Sequence, residues 1–155
     1  MPFPEHLLDQ ALLLAKIDKT RPRQASLRRA ISTAYYALFH FLTIAGSENW
    51  KKPRQRAALA RAFDHRKMKV ACGRTSGRQS PHSDSASGKH LRNVARTFVD
   101  LQELRHEADY DNSRVWTRTE VLEDIKLVRL AFASWHAIER ETTAEDFLLQ
   151  LLIQR

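Results

Sequence analysis

Leu27-Arg28-Arg29-Ala30-Ile31-Ser32-Thr33-Ala34-Tyr35-Tyr36-Ala37-Leu38-Phe39-His40-Phe41-Leu42 is the stretch that decides the architecture. Leu27, Ile31, Ala34, Tyr35, Leu38 and Leu42 return at steps of three and four, which places them on one face of a helix. Pro22 fits the first turn, where its missing N–H has no partner to lose. Gly46 marks the expected end. On one side, Pro4 opens a helix carrying Leu7, Leu8, Ala11, Leu12, Leu14 and Ala15 to about Asp18. On the other, a basic helix is expected from about Pro53 to Cys72, with Ala58, Leu59, Ala62 and Phe63 inward.

Residues 73–88 interrupt the pattern: ten of these sixteen are Gly, Ser, Thr or Pro and none is large and apolar, so a basic, flexible loop is expected. The period of 3.6 resumes at about Lys89 through Leu91, Val94, Ala95, Phe98, Leu101, Leu104 and Ala108. Thr117 with Glu120, and Thr142 with Glu145, have the spacing of capping boxes. They bracket a helix holding Val121, Leu122, Ile125, Val128, Leu130, Phe132 and Trp135, and a short last helix with Phe147, Leu148, Leu151 and Leu152 follows. With no credible strand pair and no repeats, the expected fold is all-α: a single-domain antiparallel bundle of five or six helices over 155 residues.

The charge is concentrated. Of 26 Lys and Arg, 13 lie in residues 51–96 beside only two acids, Asp64 and Asp84, and the remainder of the chain is slightly acidic. Such a block suits a polyanion, although a solvated helix face and a basic loop would carry the same residues. Lys51, Lys52, Arg54, Arg56 and Arg61 are the candidate phosphate contacts. The single Cys72 excludes a disulfide framework, and no apolar run approaches the roughly 18 residues of a membrane span. A reduced, cytoplasmic protein is the expectation. There is no His-Glu-x-x-His, no Gly-rich phosphate loop and no nucleophile elbow, and the seven His are scattered, so neither a metal nor a cofactor is expected.

Two clusters are candidates for chemistry. Ser32, Tyr36, His40 and Thr43 form a polar stripe beside the apolar face of the long helix. They read either as partly buried groups bonded across the bundle or as the lining of a cleft. The second cluster is Leu104-Arg105-His106-Glu107-Ala108-Asp109-Tyr110-Asp111, at a helix end. Arg105 and Asp109 share a face, in the order that stabilises a helix less. Arg105 offers a bidentate fork for phosphate and His106 a proton near neutrality, but adjacent residues diverge by about 100°.

The run Arg28-Arg29-Ala30-Ile31-Ser32-Thr33-Ala34-Tyr35-Tyr36-Ala37-Leu38-Phe39-His40 resembles the early-helix signature of the HEPN superfamily (higher eukaryotes and prokaryotes nucleotide-binding). Arg105-His106-Glu107-Ala108-Asp109-Tyr110-Asp111 is similar to the arginine-containing helix end of one HEPN branch. The resemblance implies a helical bundle that homodimerises around a shared polar cleft. It also implies an RNA ligand, metal-independent ribonuclease activity in many members, and toxin–antitoxin pairing with a nucleotidyltransferase or another antitoxin. In those nucleases a His follows the Arg after four to six residues; the corresponding positions after Arg105 hold Tyr110, Asp111 and Asn112. The arginine carries over to Arg105 and the histidine does not, leaving Asp109, Tyr110 and His106 as candidate catalytic companions and Tyr36, His40 and Ser32 as cleft-lining residues. The leading expectation is an RNA-engaging HEPN-like protein, a ribonuclease or toxin-like component if catalytic. The alternatives are a non-catalytic RNA-binding module and a helical partner of a nucleotidyltransferase or antitoxin.

Overall fold

The computed structural model describes residues 3–77, 80 and 85–153. They form seven helices and, among the described residues, no strand: α1 (Phe3–Lys16), α2 (Gln24–Ser47), α3 (Pro53–Arg61), α4 (His65–Ser76), α5 (Ala86–Tyr110), α6 (Arg118–Ile138) and α7 (Thr142–Leu152). The all-α bundle expected from periodicity is what forms.

Four helices, α1, α2, α5 and α6, make the frame, and α2 packs on all the others of that set. The face read from the sequence is the buried one: Leu27, Ile31, Ala34, Tyr35, Leu38 and Leu42 are sealed from solvent. Side-chain pairs fix the directions. Phe3 of α1 meets His40, and Asp109 of α5 meets Ser32, so α1 and α5 run antiparallel to α2. Gln24 binds the Trp116 backbone ahead of α6, and Phe41 stacks on Phe132 with centroids 4.1 Å apart, so α6 runs parallel to α2.

The seventh helix comes from a break in the expected basic helix. Asp64 adopts extended backbone, and its carboxylate accepts from the Lys67 N–H at 3.0 Å, capping a new helix, α4. That bond holds the Asp64 carboxyl below its ordinary range. α3, left short, has no buried residue at all: Ala58 is exposed and Leu59 only half-buried, as opposed to the inward set expected. Ala62, just past its end, is exposed too; only Phe63 goes in, against Gly46. Two methyl groups cover too little area to hold a helix down, whereas one phenyl ring does so from its end.

Three smaller expectations are corrected. α2 begins at Gln24 with Arg23 as its N-cap, so Pro22 precedes the helix; the Asp18 carboxylate accepts from the Arg23 N–H at 2.9 Å instead. Thr117 does cap α6, accepting from the Glu120 N–H, but Thr142 lies inside α7, whose N-cap is Glu141 without a side-chain bond. The loop expected over 73–88 is shorter, because α4 continues to Ser76 and α5 starts at Ala86 under a Ser85 cap; Arg78, Gln79, Pro81, His82, Ser83 and Asp84 lie outside the described residues. Among the described residues no helix is long and apolar enough to cross a membrane.

A Cβ at Gly46 would stand 2.5 Å from the tip of the Phe63 ring, so this glycine is required by close approach. Gly46→Ala should displace Phe63 and lower stability by about 1–3 kcal/mol. Thermal or denaturant unfolding measures it, and an unchanged midpoint would show that Phe63 does not anchor α3 there.

Candidate functional site

Where α2 passes the end of α5, polar groups are brought into the bundle and must be paired. Ser32 on α2 is buried, and its hydroxyl donates to Asp109 Oδ1 at 2.5 Å. The other Asp109 oxygen faces Arg105 Nη1 at 3.6 Å. The Arg105 side chain is only 17% exposed, and its guanidinium lies 5.1 Å from the Tyr35 ring centroid and 5.9 Å from that of Tyr36. Its Nε is buried without a hydrogen-bond partner. The Arg105–Asp109 pair, in the poorer order for a lone helix, is thus held by contacts to α2 rather than by helix preference.

The opposite side of this cluster comes from α4. Tyr35, sealed in the core, is hydrogen-bonded through its hydroxyl to His65 Nδ1 at 2.6 Å. The His65 ring stacks on Phe39 with centroids 3.8 Å apart, and Gln102 Nε2 donates to the His65 carbonyl at 3.0 Å. Burial depresses the His65 pKa, and the Arg105 charge pushes it further in that direction. His65 is therefore neutral at physiological pH. Burial raises the Tyr35 pKa well above the ordinary phenol range, so its hydroxyl keeps its proton. His40, packed edge-on against Phe3 and Phe39, is also held below the usual imidazole value by burial.

Neighbouring ties make this region rigid. Arg28 donates to the Ala108 carbonyl (2.9 Å), an oxygen that the end of α5 leaves open, and to the Arg114 carbonyl (2.6 Å) in the connection to α6. Gln24 forms a two-bond clasp with the Trp116 backbone, at 2.8 and 2.9 Å. Arg114 pairs with Glu107 and lies 3.8 Å over the Trp116 ring.

The candidate residues from the sequence separate into four places, one of them the position of His40 against Phe3 and Phe39. Arg105, Asp109, Ser32 and Tyr36 come together. His106 and Tyr110 form an exposed pair of their own, with ring centroids 4.9 Å apart, on the next stripe of α5. Lys51, Lys52, Arg54 and Arg61 are exposed on and beside α3; Arg56 is half-buried and its Nε donates to the Trp50 carbonyl. Among the described residues Lys51, Lys52, Arg54 and Arg61 have no acidic partner.

Helical periodicity does not single out His65 or Trp50. Asp64 was the available signal for the first, since an N-cap there starts a helix with His65 at its first position. Cys72 is fully buried, which raises its pKa and makes it a core residue rather than a nucleophile primed by basic neighbours. Among the described residues no three His, Cys, Asp or Glu side chains converge in a way that would hold a metal ion. Comparison of the chain with protein-family models, curated proteins and solved structures found no match.

Removing the Arg105 charge should let His65 bind its proton more readily. In Arg105→Gln the His65 pKa rises but stays below the ordinary imidazole value of about 6.5, because burial remains. NMR titration of the imidazole carbons reads this, and an unchanged pKa would place Arg105 outside electrostatic reach.

Proposed function

We propose that this chain is a HEPN-like helical protein that engages RNA through the basic face presented by α3 and its approach, Lys51 to Arg61. The supporting observation is that α3 buries nothing, yet Arg54 and Arg61 on it and Lys51 and Lys52 just before it are exposed without an acidic partner among the described residues. A helix that adds nothing to the core and carries unneutralised charge is accounted for by what it displays. A polyphosphate chain is the complementary ligand, because each contact releases a condensed counterion.

A second reading, metal-independent cleavage, draws on His65. The sequence lacks the histidine of the HEPN nucleases after Arg105, but α4 brings a neutral imidazole to the same cluster. In such a reaction the ribose 2′-hydroxyl gives up its proton and attacks the adjacent phosphorus, the bond to the 5′-oxygen breaks and that oxygen takes a proton from water, and a guanidinium stabilises the charge that builds on the phosphoryl oxygens. His65 would take the proton at Nε2, with Nδ1–H donating to the Tyr35 oxygen, and Arg105 would face the phosphate.

One set of measurements separates the readings. Wild-type protein should bind a single-stranded RNA with a logarithmic salt slope of about −3 for four contacts. Reversing Lys51, Lys52, Arg54 and Arg61 to Glu should flatten that slope and weaken binding by about 100-fold or more, with the unfolding midpoint unchanged. Binding untouched by the reversal would overturn the reading. Incubation with mixed RNA in EDTA tests cleavage. Loss of wild-type cleavage in both Arg105→Ala and His65→Ala supports the second reading, and no wild-type cleavage removes it.

A further inference from the structure

The chain has three tryptophans, and the fold treats one of them differently. Trp116 and Trp135 are each only 2% exposed, whereas Trp50 is 53% exposed in the bend between α2 and α3. An exposed indole is ordinarily free to turn, but here two bonds hold the Trp50 backbone and one holds the ring at its Nε1. Its backbone N–H donates to the Ser47 carbonyl at 3.1 Å, its Nε1 donates to Gln55 Oε1 at 2.7 Å, and Arg56 Nε donates to its carbonyl. The polar edge of the ring is therefore satisfied within the protein. Among the described residues no other ring or guanidinium stacks on it. Lys51, Lys52 and Arg54 follow directly, all exposed.

A fixed aromatic face beside unpaired cations has the two components of single-strand recognition: a surface on which a base stacks and charges that follow the backbone. We propose that Trp50 is the base-stacking platform of a single-stranded RNA site, with Lys51, Lys52 and Arg54 taking the flanking phosphates. The proposal rests on the RNA reading above and adds the strand class and the residue that selects it. Single strands are selected because a base in a duplex has its faces covered by its neighbours and offers none to the indole. The Gln55 bond matters because a ring already held at its Nε1 loses less freedom when a base arrives.

The test uses the full chain, a 12-nucleotide oligouridylate and a 12-base-pair RNA duplex at matched salt. Trp50→Leu keeps an apolar side chain of moderate size at an exposed position and removes the aromatic face; Trp50→Phe restores a smaller one. The expected result is an affinity for oligouridylate about tenfold or more weaker in Trp50→Leu, with partial recovery in Trp50→Phe. Duplex affinity and the salt slope should stay as in the wild type. Oligouridylate should quench the wild-type tryptophan emission and leave that of Trp50→Leu unchanged, because the two remaining indoles are buried. Equal single-strand affinity of wild type and Trp50→Leu, with normal salt slopes in both, would overturn the stacking platform while leaving the RNA reading intact. Failure of wild type and variants to bind either RNA would instead overturn the RNA reading itself. Binding only to phosphatidylglycerol vesicles, with a blue shift of Trp50 emission, would overturn both in favour of a lipid surface.

Discussion

The hydrogen bond from Ser32 to Asp109 stands at the centre of a constraint on the whole bundle. α2 is covered on several sides, so its buried polar side chains must be paired: Thr43 and Ser47 bond back to carbonyls of α2 itself, whereas Ser32 and Arg28 reach across to a neighbouring segment. Ser32 finds its partner in Asp109 at the end of α5, and Arg28 finds its own in the Ala108 carbonyl there and the Arg114 carbonyl in the connection to α6. These bonds set how far α5 slides along α2. They also place Arg105 over the Tyr35 ring and bring the turn after α5 back to Gln24. Apolar packing alone tolerates slippage by small steps; a buried hydroxyl paired with one carboxylate does not.

That register has consequences on the far side of α2. Tyr35 is fixed between Arg105 and His65, so the start of α4 is tied through the Tyr35 hydroxyl to the same cluster. Phe63, just ahead of α4, closes on Gly46, and α3 is left between two anchored points with nothing of its own buried. The molecule thus combines a rigid polar cluster at the α2–α5 seam, buried at Ser32 and Tyr35 and open at Asp109 and Tyr36, with a short basic helix outside, and the two are joined through His65, Asp64 and Phe63. The inner cluster accounts for why so many titratable and aromatic groups lie in one place. The outer helix is the part that packing does not account for, and the proposed RNA contact rests on it.

Much of this was legible in the sequence, for identifiable reasons. The long helices α2, α5 and α6 carry large apolar side chains at a steady 3.6-residue period, and each formed near its expected limits. The Arg105–Asp109 pair was legible from spacing, and Ser32 from its stripe, because both are local helix geometry. What spacing could not supply was the partner across the bundle: Ser32 meets a residue 77 positions away, and Tyr35 meets His65 30 positions away. His106 and Tyr110 drew notice by adjacency to Arg105 and Asp109, yet one residue along a helix is a rotation of about 100°, which carries them out to solvent. The expected helix over Pro53–Cys72 failed at Asp64, where a side chain that bonds the backbone ahead of it competes with helix continuation. At α7 the same chemistry misled in the other direction, since Thr142 has the right spacing to Glu145 but already lies inside the helix.

The claim that joins these observations is that the surface around α3, rather than the exposed His106–Tyr110 stripe of α5, meets the ligand. Photocrosslinking with a 4-thiouridine oligonucleotide, followed by peptide mapping of the adducts, tests it most directly. The account predicts adducts within residues 50–61, centred on Trp50. Adducts confined to the α5 stripe or to α6 and α7, with the 50–61 peptide unmodified, would contradict it.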